Sequence, residues 1–172
     1  MILKKGINTM NENFYNLDHQ LERSVEWVKY AETKNAVAIG LLGAAFIDVC
    51  KMEIWASLCG KVLIITLGIQ LILLVCSFIP RFSSPLCLKR NKAELNFHYY
   101  GDISSVSLDE FRSKLKESYP ELEHASKHFK DVTHQIHINC EIAMAKFKFF
   151  KGVCYLMFVS GLSFILKTLF GL

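Results

Sequence analysis

His124 and His128 stand four residues apart, a spacing that puts two imidazoles on one helix face, where they can grip a metal ion. Glu121 precedes His124 by three residues, and His134 and His137 follow. The set stops there. No H-E-x-x-H motif occurs, and the E-x-x-H pattern is not duplicated as a di-iron bundle requires. The cysteines, Cys50, Cys59, Cys76, Cys87, Cys140 and Cys154, are scattered without a C-x-x-C pair, so neither a zinc site nor a disulfide framework is expected. No metal is therefore assigned, and the histidines read as polar residues beside the seam of an exposed helix. A membrane metalloenzyme built on His124 and His128 stays as an alternative that bound metal would reveal. Phosphate loops of the G-x-x-x-x-G-K-[ST] and G-x-G-x-x-G kinds are absent, as is a G-x-S-x-G nucleophile. No catalytic residue and no cofactor is assigned from these motifs.

Two further groups of residues carry charge where chemistry is possible. Lys89, Arg90 and Lys92 form a basic cluster about ten residues beyond an apolar run, and contact with anionic lipid headgroups is the favoured role. Asp48 interrupts another apolar run. It must lie near an interface, line water or pair with Lys51.

The elements that position these groups follow from hydropathy. Hydrophobic residues make up 52% of the 172-residue chain and the mean hydropathy is +0.27, both high for a soluble protein. Val62–Ile79 has eighteen residues without a formal charge, and Gln70 is its only strongly polar side chain. As a helix it covers about 27 Å, close to a hydrocarbon core. Residues 35–55 form a weaker span, in which Gly40, Gly43 and Ala44 provide the small-residue spacing that lets helices pack closely in lipid. Residues 149–170 form the third, with Lys151 and Lys167 snorkelling.

Outside the spans, residues 11–34 read as an amphipathic helix with Phe14, Leu17, Leu21, Val28 and Ala31 on one stripe. Trp27 and Tyr30 near its end suit a lipid interface. Residues 81–106 are a connector. Within it Phe97–Ile103 suggests a short extended piece with a tight turn at Gly101. Residues 107–148 read as a helical hairpin. Ser107 to Glu110 is a capping box, and Pro120 is placed to open the second helix. Leu122, Phe129, Ile136, Ala143 and Phe150 recur every seven residues, with Ala125, Val132 and Asn139 at a second position, which makes a seam for pairing with the first helix. The expected fold class is an all-α membrane protein: three transmembrane helices with a cytoplasmic helical pair or bundle and a short extended connector. Five Lys/Arg lie before residue 35 and twelve between 81 and 151, so the N-terminus and the 81–151 region are expected in the cytoplasm.

In this order the pieces resemble the transmembrane effectors of Pycsar, bacterial anti-phage systems that signal with cyclic pyrimidine nucleotides. The likeness is carried by Ala31-Glu32-Thr33-Lys34-Asn35 at the first span and Pro80-Arg81 after the second. It extends to Tyr99-Tyr100-Gly101-Asp102-Ile103 and to Gln135-Ile136, Asn139, Ile142-Ala143 and Lys146-Phe147 before the third. Glu32 stands where the family more often has aspartate. The resemblance implies a multi-pass protein of the bacterial inner membrane that is not an enzyme and is coupled to a pyrimidine cyclase. Cyclic CMP or cyclic UMP would be the activating ligand, and loss of membrane integrity would kill the infected cell. On that basis Lys34, Arg81, Tyr99, Tyr100, Gly101 and Asp102 are expected to gather as a ligand site, the cations meeting phosphate and a tyrosine stacking on the base. A polar clasp between connector and helix pair is the competing role for the same residues. Gly40, Gly43, Ala44 and Asp48 are expected to serve packing and pore formation in a homo-oligomer that contacts membrane lipids and no nucleic acid. A membrane-anchored scaffold whose coiled region recruits partners is the alternative function.

Overall fold

In the computed structural model, residues 2–52, 57–79, 95–120 and 127–170 are described, with side chains from Leu17 onward. They form five helices: α1 (Ile2–Lys51), α2 (Leu58–Ser77), α3 (Tyr100–Ile103), α4 (Leu108–Ser118) and α5 (Lys127–Phe170). No strand occurs among the described residues. Three of the helices, α1, α2 and α5, are long and apolar enough to cross a membrane.

The long helices follow a seven-residue repeat that polar letters partly conceal. On α1 the buried or half-buried positions include Leu17, Leu21, Ser24, Val28, Ala31, Asn35, Ala38, Leu42 and Val49, a stripe alternating in steps of three and four until the last. The helix runs without interruption for 50 residues, starting at Ile2 rather than at Asn11. α2 begins at Leu58, four residues before the uncharged run. Ser57 caps it, its hydroxyl accepting from the Gly60 amide at 3.1 Å. α4 starts at the capping box, where the Ser107 hydroxyl accepts from the Glu110 amide at 3.2 Å. Pro80 and Arg81, the basic cluster Lys89–Lys92, Glu121, Leu122, His124 and Ala125 lie outside the described residues, as does all of 121–126 after Pro120, where a helix is expected to begin.

The chain divides into two units. The first comprises Met1–Tyr30 and Arg81–Ala145, the second Ala31–Pro80 and Lys146–Leu172. The core of the first is Leu17, Ile103, Val106, Phe111, Leu115, Phe129, Val132, Ile136 and Cys140. Asn139 belongs to this seam, and its amide donates to the Ser24 hydroxyl at 3.0 Å. The core of the second is Leu42, Val49, Leu63, Ile64, Leu67, Leu74 and Val153.

Two expectations are corrected here. Phe97–Ile103 is not extended: Tyr100–Ile103 is a helical turn, and the chain reverses before it rather than at Gly101. The Asn96 side chain accepts from the His98 amide at 2.9 Å, an Asx turn that feeds the helix. Among the described residues there is no neighbouring strand to pair with, and Ile103 gains full burial against a helical core instead. His137 is not an exposed polar residue. It is 5% exposed, lies beside the Phe111 ring, and shares a 2.9 Å hydrogen bond with the Val106 carbonyl through Nε2. A carbonyl only accepts, so Nε2 carries the proton.

Candidate functional site

In the first unit the Tyr99–Asp102 stretch folds onto α1. Tyr100 meets the Trp27 indole edge-on at 5.5 Å between centroids and the Tyr99 ring at 4.8 Å. Gly101 is required by this arrangement, because a Cβ there would lie 2.8 Å from Cζ of Tyr99. The ring therefore rests over a bare backbone position. Burial, and then the neighbouring Tyr99, pushes the Tyr100 phenol up to about 12. Asp102 is turned inward to the chain, its carboxylate accepting from the Asn96 amide at 3.3 Å. Arg23 donates from Nη1 to Nδ1 of His98 at 3.0 Å, which fixes that nitrogen as an acceptor. A half-exposed tyrosine, an indole and a guanidinium are side chains able to stack on a base and to pair with a phosphate. Trp27 and Arg23 were not expected at such a site. In the sequence Trp27 reads only as an interface aromatic, and Arg23 falls off the apolar stripe of the amphipathic helix.

The second unit contains a buried polar node made by three helices. Lys146, 8% exposed, donates from Nζ to the Ser77 carbonyl at 3.0 Å and pairs with Glu32 at 3.2 Å. The Phe78 ring lies 5.4 Å from the same ammonium. α2 has no basic residue in its own last turn, so the lysine from α5 meets the negative end of the α2 dipole. Asn35 donates to the Ser77 hydroxyl at 2.8 Å, and that hydroxyl donates to the Leu74 carbonyl at 2.6 Å. The Asn35 Oδ1 is buried with no hydrogen-bond partner. A second layer lies deeper in the apolar helices. Gln70 donates to Ser160 Oγ at 2.6 Å, Thr66 and Ser160 hydroxyls are 2.9 Å apart, and the Gln70 Oε1 is again buried and unpartnered. Polar groups so placed are expensive in an apolar bundle and act as glue between helices where they are paired.

Tyr99, Tyr100, Gly101 and Asp102 are thus adjacent in the first unit. Lys34 belongs to the second, where its ammonium lies over the Phe150 ring at 4.5 Å and the Phe147 ring at 5.8 Å. Arg81 lies outside the described residues. Gly40 and Ala44 are exposed and Gly43 half-buried, and a Cβ added at either glycine meets nothing within 4 Å. Asp48 pairs with Lys51 at 3.2 Å, both side chains mostly exposed. His128 pairs with Asp18 at 3.5 Å, and among the described residues no group of three potential ligands can hold a metal.

The described residues that carry the family resemblance fall in both units. Glu32, Asn35 and Lys146 build the node, Lys34 and Phe147 lie in contact beside it, and Tyr99–Asp102 with Asn139 belong to the first unit. Neither a curated protein nor a solved structure matches this chain. A family model described as the Pycsar effector protein domain matches residues 16–172, nearly all of it. The chain belongs to the Pycsar effector family.

Proposed function

We propose that this anti-phage effector is the membrane-damaging arm of its system. A partner pyrimidine cyclase makes cyclic CMP or cyclic UMP on infection, the nucleotide activates the effector, and homo-oligomers then impair the inner membrane so that the cell dies before phage matures. The observation that carries this is the family match across residues 16–172, within which lie three helices long and apolar enough to cross a membrane. The family is not known as a class of enzymes. The first-unit cluster of Tyr99, Tyr100, Gly101, Trp27 and Arg23 is the best supported place for the nucleotide, because aromatic faces and a guanidinium stand together there. The outward face of Gly40, Gly43 and Ala44 is the contact between copies, and the Asp48–Lys51 pair marks the far interface. Inner-membrane potential, followed in cells carrying this protein with or without a pyrimidine cyclase, tests the proposal. Depolarisation on phage infection is expected only when both proteins are present. A steady potential with the protein in the membrane would refute it.

A further inference from the structure

Within the second unit an apolar trough of about 540 Å³ runs between α1 and α5. Its floor exists because α1 places alanines at Ala38 and Ala45, seven residues apart, opposite Phe150 and Met157, also seven apart on α5. The lining extends from Thr33 to Ala45 on α1 and from Phe150 to Met157 on α5, so the trough runs along the helices rather than forming an isolated dent. One end carries the polar groups, Thr33 and Lys34, and no carboxylate lines the trough among the described residues. The Lys34 ammonium is held over Phe150, the wall at that same end. Beyond Lys34 no charge occurs until Asp48. From Lys34 to Ala45 the helix rises about 16 Å, against about 15 Å for one leaflet of a hydrocarbon core. An apolar channel one leaflet deep, with a cation at its mouth, has the dimensions and charge pattern of a phospholipid.

We propose that this trough binds one acyl chain of an anionic phospholipid, with the Lys34 ammonium and the Thr33 hydroxyl meeting the headgroup phosphate. The site does not depend on nucleotide activation, so its failure leaves the proposed function standing, and the reverse. Native mass spectrometry of the full chain, titrated in micelles with phosphatidylglycerol or phosphatidylcholine of identical chains, tests it. The wild type is expected to retain one phosphatidylglycerol per chain, with about fivefold preference over phosphatidylcholine. Lys34→Gln should erase the preference while both lipids still bind, and Lys34→Arg should keep it. Ala45→Phe, which fills the channel, should remove both lipids. If Ala45→Phe fails to fold by circular dichroism, Lys34→Gln against Lys34→Arg decides alone. Equal retention of the two lipids by the wild type would overturn the site, as would unchanged retention in a folded Ala45→Phe. Cyclic UMP binding that is lost in Lys34→Gln, with phosphatidylglycerol retention unaltered, would overturn it too by assigning Lys34 to the nucleotide.

Discussion

Lys146 and Glu32 form an ion pair whose two ends differ in their access to water. The Lys146 side chain is 10% exposed and that of Glu32 46%. Removing the lysine leaves a carboxylate that water can reach. Removing the carboxylate leaves an ammonium with the Ser77 carbonyl and a phenylalanine face as its remaining partners of note. Glu32→Ala should therefore cost more, about 2 kcal/mol, than Lys146→Met, about 1 kcal/mol or less. Unfolding of the two variants in mixed micelles measures the difference, and an equal or inverted order would refute the asymmetry. At Tyr100 the sign concerns pH. The neutral phenol is favoured by the fold, since burial raises its pKa from 10 to about 12. That contribution is complete below about pH 10 and is lost as the pH rises through about 12. A phenolate absorbance titration should show a late step near 12 that Tyr100→Phe removes, with no change at neutral pH.

At the scale of elements, the first unit depends on one face of α5 packed against α1 and α4. Ile136 is 0% exposed and central to that face. Ile136→Ala should cost about 3 kcal/mol through lost transfer and the cavity left behind. Loss of far less, in thermal unfolding followed by circular dichroism, would mean that the seam collapses around the gap. How legible this was differs by element. The seam residues Phe129, Val132, Ile136 and Ala143 showed in the sequence because apolar letters recur every seven positions. The α2 span showed because its apolar run is unbroken. The helical turn at Tyr100–Ile103 did not, because aromatic residues favour strands only where a sheet exists to receive them. The polar node was hidden for another reason. Asn35, Ser77 and Lys146 occupy inward positions, yet their letters read as surface. Only the three-dimensional pairing of a lysine on one helix with the carbonyl end of another turns them into a site. Likewise the spacing of Trp27 and Arg23 gave no sign that they meet Tyr100 and His98, which lie more than seventy residues away in the chain.

For the whole molecule the proposed function turns on association. A single chain places the Gly40–Ala44 face outward, and nothing within 4 Å would meet a Cβ at Gly40 or Gly43. The first carbon of a side chain at Gly43 therefore has room inside the chain, and leucine favours the helix by roughly 1 kcal/mol over glycine. In an oligomer that uses this face the same leucine holds neighbouring backbones apart. The two demands separate folding from assembly in one substitution. Gly43→Leu should keep the helix content and membrane insertion of the wild type. It should also shift crosslinked species towards the monomer and lower cyclase-dependent depolarisation at least tenfold. Gly43→Ala, which adds only a methyl group, should lose little of either. The measurement pairs crosslinking in isolated membranes with the potential of infected cells carrying the cyclase. If Gly43→Leu keeps both its crosslinks and its depolarisation, the small-residue face is not the contact between copies. If crosslinks vanish while depolarisation persists, a single chain is enough to damage the membrane, and assembly is no part of the proposed action.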